Sequence, residues 1–121
     1  MKLKFAYLTV LAAIMAITQL FVFATSAQRT PRRIEVAARR FEYTPSEITL
    51  KKGEPVVLVL KSVDVDHGLR LKELGVDAKV NKGQTSDIPF TPTMAGTFVG
   101  HCSVFCGSGH GKMTLTLHIV E

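Results

Sequence analysis

After an N-terminal apolar segment, apolar and polar residues alternate in short runs along the chain. In one such run Leu115, Leu117 and Ile119 are separated by polar residues, a period of two that is typical of a half-buried strand. Similar or continuously apolar runs occur at residues 34–38, 48–50, 55–61, 69–71, 85–91 and 97–100. Because these short runs recur between turn residues, we predict an all-β Greek-key sandwich or barrel after one N-terminal helix.

Residues 1–27 are predicted to be an export signal or a transmembrane anchor. Lys2 and Lys4 precede an apolar run of 20 residues, 5–24, which is long enough to span a bilayer as a helix. The small residues that follow would allow cleavage after Ala27. We favour an uncleaved single-pass anchor, although the arginines after it would then be translocated against the positive-inside tendency. The domain is expected on the outer face of the cell membrane, periplasmic or extracellular, or secreted if the leader is cleaved.

The remaining sequence has room for a single domain. Residues 28–33 are predicted to be a linker and residues 34–121 the domain. This length excludes a two-domain enzyme with a cleft between its domains. No GxSxG, HExxH or phosphate-binding loop is present, so no catalysis is expected from the isolated chain.

The net charge of +5 is concentrated at the N-terminal end. From Phe41 onward there are eight Lys and Arg residues against nine Asp and Glu. The folded part is therefore near neutral, and no nucleic-acid partner is expected.

Residues 100–113, GHCSVFCGSGHGKM, contain the candidate chemistry. Cys106, His110 and Met113, together with the upstream His67, are the ligand types of a mononuclear blue-copper site. The nearby Cys102 changes this interpretation, because two bridging thiolates can hold two coppers. Two thiolates, two imidazoles, one thioether and one backbone carbonyl, that of Val104, would complete two four-coordinate copper ions. A Cys102–Cys106 disulfide and a structural Cys2His2 zinc site remain alternatives.

These residues resemble the dinuclear copper (CuA) centre of cytochrome c oxidase subunit II, a domain of the cupredoxin superfamily. Segments 41–53 and 62–68 resemble that family's opening strands and its first histidine segment, and the similarity covers most of residues 36–120. The single apolar span is more like subunit II of the B-type haem-copper oxidases. The resemblance implies metal coordination by the side chains of His67, Cys102, Cys106, His110 and Met113 and by the carbonyl oxygen of Val104.

Two departures from the family pattern affect the prediction. Many relatives carry a glutamate at the position of Val104 that helps bind magnesium, so we predict no magnesium site here. The chain has no tryptophan, the residue through which electrons usually enter this family. Phe105 or an exposed apolar patch would have to take that role, and Ser103 and Asp66 are candidates for tuning hydrogen bonds.

The resemblance implies an extracytoplasmic electron-transfer protein of the respiratory chain. It would accept electrons from a cytochrome c or a small copper protein and pass them to a haem-copper cytochrome c oxidase, as the electron-accepting subunit or as a free carrier. Two alternatives remain open, namely a copper storage or delivery protein for oxidase assembly and a mononuclear blue-copper carrier.

Overall fold

A computed structural model describes residues 2–22 and 29–121, with only the backbone described for residues 16–22. The elements follow one another as α1 (Lys2–Val22), β1 (Arg32–Arg39), β2 (Glu42–Thr44), β3 (Glu47–Lys51), β4 (Val56–Ser62), β5 (His67–Leu71), β6 (Val76–Val80), β7 (Thr85–Phe90), β8 (Gly96–His101) and β9 (Thr114–Val120). After α1, the only helical segments in the described residues are two 3-10 turns, Lys72–Leu74 and His110–Lys112.

The nine strands form two sheets that enclose an apolar core. One sheet has the order β2-β1-β4-β7 and the other β3-β9-β8-β5-β6. The alternation in β9 buries Leu115, Leu117 and Ile119, and these side chains share one core cluster with Leu58 and Leu60 of β4. The predicted all-β sandwich is confirmed.

β6 was not predicted, β2 was expected only from the resemblance of segment 41–53, and β1 begins earlier than expected. β2 buries only Tyr43, so its pattern is too short to detect. β6 buries Val76 and Val80, an alternation that could have been found. β1 begins at Arg32, two residues before the domain boundary predicted at residue 34.

The N-terminal helix covers most of the predicted leader. α1 spans 21 residues, and its side chains are exposed as far as Met15. Within the described parts of the chain, no helix combines the length and apolarity needed to span a membrane. Cleavage after Ala27 and the start of the linker at Gln28 concern residues outside the described ranges. Anchor and cleaved signal therefore both stay predictions.

The strand order brings distant residues to one end of the sandwich. β5 and β8 are antiparallel neighbours, so the start of β5, at His67, lies near the end of β8, which Cys102 follows. β9 is antiparallel to β8 and pairs its first residue, Thr114, with His101. Met113 therefore lies at the same edge, and a single connection, residues 102–113, closes it. We call this connection the ligand loop.

Candidate metal centre

Cys102 and Cys106 form a buried pair of sulfur atoms at the end of the sandwich. Their Sγ atoms lie 3.8 Å apart, and the residues are 5% and 4% exposed. Both cysteines are free. We refer to these two atoms as the sulfur pair.

One histidine nitrogen lies beside each sulfur. His67 Nδ1 is 3.9 Å from Cys102 Sγ, and His110 Nδ1 is 3.7 Å from Cys106 Sγ. His67 is fully buried, and ligand atoms of His67, Cys102 and Cys106 all lie within 4.8 Å of one another. His67 thus lies close to both sulfur atoms, whereas His110 is less buried and its Nδ1 approaches Cys106.

The remaining two predicted ligands complete the cluster. Met113 Sδ lies 3.9 Å from Cys106 Sγ, and Met113 is fully buried. The Val104 carbonyl oxygen accepts a hydrogen bond from Cys102 Sγ at 3.1 Å. The structure thus brings all six residues singled out from the sequence together. Whether they bind a metal stays a prediction.

Backbone hydrogen bonds fix the ligand loop in this shape. The Cys102 N–H donates to the Met113 carbonyl at 3.2 Å, and the His110 N–H donates to the Gly107 carbonyl at 3.2 Å. The first of these bonds continues the β8–β9 pairing into the site. The 3-10 turn His110–Lys112 then places the imidazole and the thioether three residues apart on one turn.

Glycines let the ligand loop lie directly on Phe41. A Cβ on Gly109 would come within 2.4 Å of the Phe41 ring, and one on Gly107 within 2.9 Å. Gly107 also has a φ of 139°, a conformation that side-chain-bearing residues rarely adopt. Phe41 is partly buried against the core, and its ring also supports this loop.

Asp64 contacts the ring nitrogen of His67 that faces away from the sulfur pair. Its Oδ1 lies 2.7 Å from His67 Nε2, so the histidine can donate there and present Nδ1 toward Cys102. Partial burial raises the pKa of Asp64, but hydrogen bonds from the Arg40 N–H, the His67 ring and the Val65 N–H outweigh it and lower the pKa to about 2. The candidate from the sequence was Asp66, whose Oδ1 instead accepts the Lys82 N–H at 2.7 Å.

Close packing also fixes the start of β5 against the ligand loop. A Cβ on Gly68 would lie 2.1 Å from Ser103 Oγ, so only glycine fits there. On the other side, the Tyr43 hydroxyl donates to the Gly68 carbonyl. Burial raises the pKa of Tyr43 strongly, and the charge of a Cys102 thiolate adds to the effect. Ser103 Oγ is buried without a hydrogen-bond partner within the described chain.

Without a cation nearby, the Cys106 thiol favours its protonated state. Burial raises the pKa of the Cys106 thiol to about 11, helped by the hydrogen bond and charge of Cys102 and opposed by the charge of Arg40. Two adjacent thiolates need positive charge between or beside them, which a bound metal ion provides.

The donor set fits copper better than zinc. A tetrahedral zinc site would use both cysteines and both histidines. It would leave the buried Met113 sulfur and the Val104 carbonyl, both beside the sulfur pair, without a role. Thiolate, thioether and imidazole together are the ligands that copper prefers.

Phe105 is a large apolar side chain that is exposed to solvent on the ligand loop. It is 79% exposed, and its ring centroid lies 5.6 Å from that of His110. An aromatic side chain in solvent thus contacts an imidazole that reaches Cys106. His101 is also exposed, and no contact places it at the sulfur pair.

Comparison with known proteins identifies the fold family. The model of the cupredoxin-like domain family matches residues 9–115. The chain belongs to this family. The cytochrome c oxidase subunit 2 of Thermus thermophilus is 30% identical over 88 residues, which cover 73% of this chain and 65% of that relative. The predicted resemblance to subunit II is confirmed, although the match spans less than two thirds of the relative's length.

Solved structures share the same cupredoxin architecture. The periplasmic domain of subunit II of cytochrome oxidase from Bradyrhizobium japonicum superposes with a TM-score of 0.70 at 18% identity, over 79% of this chain and 88% of that chain. Auracyanin A, a blue copper protein from Chloroflexus aurantiacus, gives a TM-score of 0.62 at 19% identity, over 75% and 100% of the two chains. At these identities the similarity establishes the fold alone.

Proposed function

We propose that this cupredoxin binds two copper ions in a thiolate-bridged CuA-type centre and transfers single electrons toward a haem-copper cytochrome c oxidase. The observation that carries the proposal is the paired arrangement of donors. Each sulfur of a pair 3.8 Å apart has its own imidazole, at 3.9 Å for Cys102 and at 3.7 Å for Cys106. Two imidazoles, one thiolate and one thioether already complete a mononuclear blue-copper site, so the second buried sulfur is the donor that such a site would not need.

The residues that would hold the copper ions are His67, Cys102, Val104 through its carbonyl, Cys106, His110 and Met113. When bound, two coppers that share one electron supply a relay with little change in geometry. The chain contributes rigidity, because the sulfur pair is buried and Asp64 fixes the His67 ring. A preformed site keeps the ligands in place in both redox states.

The proposed reaction moves one electron at a time. A cytochrome c or a small copper protein would lose one electron and the oxidase would gain it, and the copper held by the six proposed ligands would supply the one-electron redox chemistry between them. The exposed Phe105 against His110 is the proposed point where electrons arrive. The name of the Thermus relative, cytochrome c oxidase subunit 2, supports the oxidase as acceptor.

We further propose that the domain works on the outer face of the membrane, with the apolar segment 5–24 as its single-pass anchor. Its arrangement would then be that of a B-type subunit II. The support is the 20-residue apolar run together with the subunit II relatives. Alone, the chain would catalyse nothing; within an oxidase it would be the electron-accepting subunit.

The burial of most of the proposed copper ligands argues against a function as a copper storage or delivery protein. Cys102, Cys106, His67 and Met113 are all at most 5% exposed, and Val104 and His110 are half-buried. We therefore expect copper held by these donors to exchange slowly with chelators and partner proteins. A storage or delivery protein needs an accessible site.

The test is copper loading of the full 121-residue chain under mild oxidation, followed by metal analysis and electron paramagnetic resonance. Two coppers per chain with one electron shared equally between them, and resistance to chelators, are expected. One copper with a mononuclear signal would instead establish a blue-copper site. Rapid loss of copper to a chelator would establish a delivery protein.

The variant Cys102→Ser separates the dinuclear from the mononuclear proposal. It should abolish the shared-electron signal and the second copper, because one bridging sulfur is lost. A mononuclear site at Cys106 would keep its full copper content. The exposed neighbour His101 provides the matched control, since His101→Gln should retain two coppers and an unchanged spectrum.

A further inference from the structure

Arg40 connects the two parts of the chain that carry the candidate ligands. It lies between β1 and β2, and its backbone N–H donates to Asp64 Oδ2 at 2.8 Å. Its side-chain Nε donates to the Cys106 carbonyl at 2.7 Å. Since Asp64 also contacts His67, one residue is linked to the His67 segment and to the ligand loop.

The side-chain contact is specific to this arginine. The bond to the Cys106 carbonyl is partly buried, and Arg40 Nε also lies 3.5 Å from where a Cβ of Gly107 would stand. The preceding residue, Arg39, is exposed, and its side chain has no hydrogen bond or ion pair within the described chain. Two adjacent arginines therefore differ in whether they contact the candidate centre.

We propose that Arg40 is a positioning residue of the metal centre, holding the Cys106 carbonyl in place and setting the charge beside the sulfur pair. The effect of Arg40 on the reduction potential rests on the proposed function, whereas its effect on the position of the Cys106 carbonyl does not. A fixed positive charge stabilises the more electron-rich state of a nearby centre. Arg40 therefore raises the reduction potential.

The structural part is tested without metal by amide hydrogen exchange of the full-length chain. The informative amides are those of Cys102, His110 and Met113, which bond within the ligand loop. In Arg40→Gln their exchange should accelerate roughly tenfold, the order expected when a hydrogen bond from a charged donor is lost. The control Arg39→Gln removes the same charge one residue away and should leave these rates unchanged. Equal rates in wild type and Arg40→Gln would overturn the positioning role.

The electrostatic part is tested by the reduction potential of the copper-loaded chain. Arg40→Gln should shift the one-electron equilibrium about threefold toward the oxidised form, a decrease of about 30 mV at 59 mV per tenfold change. Arg40→Lys keeps the charge but not the planar donor group, so it should restore most of the potential while leaving loop exchange fast. An unchanged potential in Arg40→Gln, or an equal decrease in Arg39→Gln, would overturn the charge-setting role. If wild type binds no copper, the proposed function fails, and the exchange experiment still decides the positioning role.

Discussion

Asp64 shows how one carboxylate can orient a histidine of the candidate metal centre. Its oxygens accept the backbone N–H groups of Arg40 and Val65 and face His67 Nε2. Since the carboxylate is held by backbone donors, it has little freedom to move away from the imidazole. The orientation of His67 toward Cys102 is therefore determined by residues that touch neither sulfur atom.

The substitution Asp64→Asn should weaken copper binding about 10- to 100-fold, the range found when a partner of a metal-binding histidine is removed. The amide has only one acceptor oxygen for three donors. Competition with a chelator of known affinity measures the change. Asp66→Asn is the control, because Asp66 bonds to the Lys82 N–H and not to the histidine. Equal affinities for the two variants would contradict the assigned role of Asp64.

Residues that are close in sequence were the easier part of the site to predict. Cys102, Cys106, His110 and Met113 lie on one loop, so their spacing alone indicated a common site. The supporting residues lie elsewhere: Arg40 is 66 positions from Cys106. No local pattern connects an arginine before β2 with a carbonyl on this loop. Such contacts are visible only once the strand order is known.

At the scale of elements, the ligand loop and the β1–β2 connection form one packed unit. Phe41 fills the space that side chains at Gly107 and Gly109 would otherwise need. These two glycines therefore let the loop approach an aromatic ring.

Gly109→Ala should destabilise the chain by about 1–3 kcal/mol through overpacking against Phe41. The new Cβ would come within 2.4 Å of the ring, so either the ring or the loop has to move. Chemical denaturation of the metal-free chain measures the unfolding free energy. Gly111→Ala is the matched control, since a Cβ there meets nothing within 4 Å, and its effect should stay within about 0.5 kcal/mol. Equal changes in unfolding free energy for Gly109→Ala and Gly111→Ala would show that the packing of Phe41 against the loop does not stabilise the chain.

A strand could be predicted from the sequence where it contains several apolar residues that face the core. β9 offers three buried apolar residues in alternation, and β4 is almost wholly buried. β2 contains one buried residue, Tyr43, between two exposed ones. The pairing of β2 with β1 depends on the tertiary fold. The alternation of apolar and polar residues in β2 is therefore too short to indicate a strand by itself.

At the scale of the whole molecule, the two sheets and the metal centre should be stabilised together. The core side chains of β9 are fully or almost fully buried, and Met113 immediately precedes that strand. A metal that binds only the folded state adds its binding free energy to that of folding.

Copper removal should therefore lower the melting temperature of the full-length chain. At free copper about one hundred times the Kd, loading adds about 2.7 kcal/mol to the unfolding free energy. Calorimetry of loaded and metal-free chain measures the difference. Cys106→Ser, which removes one bridging sulfur, should lose most of the copper-dependent increase. Identical melting temperatures with and without copper would contradict a site formed by folding.

The position of β9 between β3 and β8 also dictates when the centre can assemble during biosynthesis. This strand follows the ligand loop in the chain and yet occupies an interior place in its sheet, parallel to β3 and antiparallel to β8. Until residues 114–120 have been synthesised, the edge that holds Met113 beside Cys106 does not exist. Metal insertion at these residues would thus follow synthesis and folding, because the nascent polypeptide has no finished site.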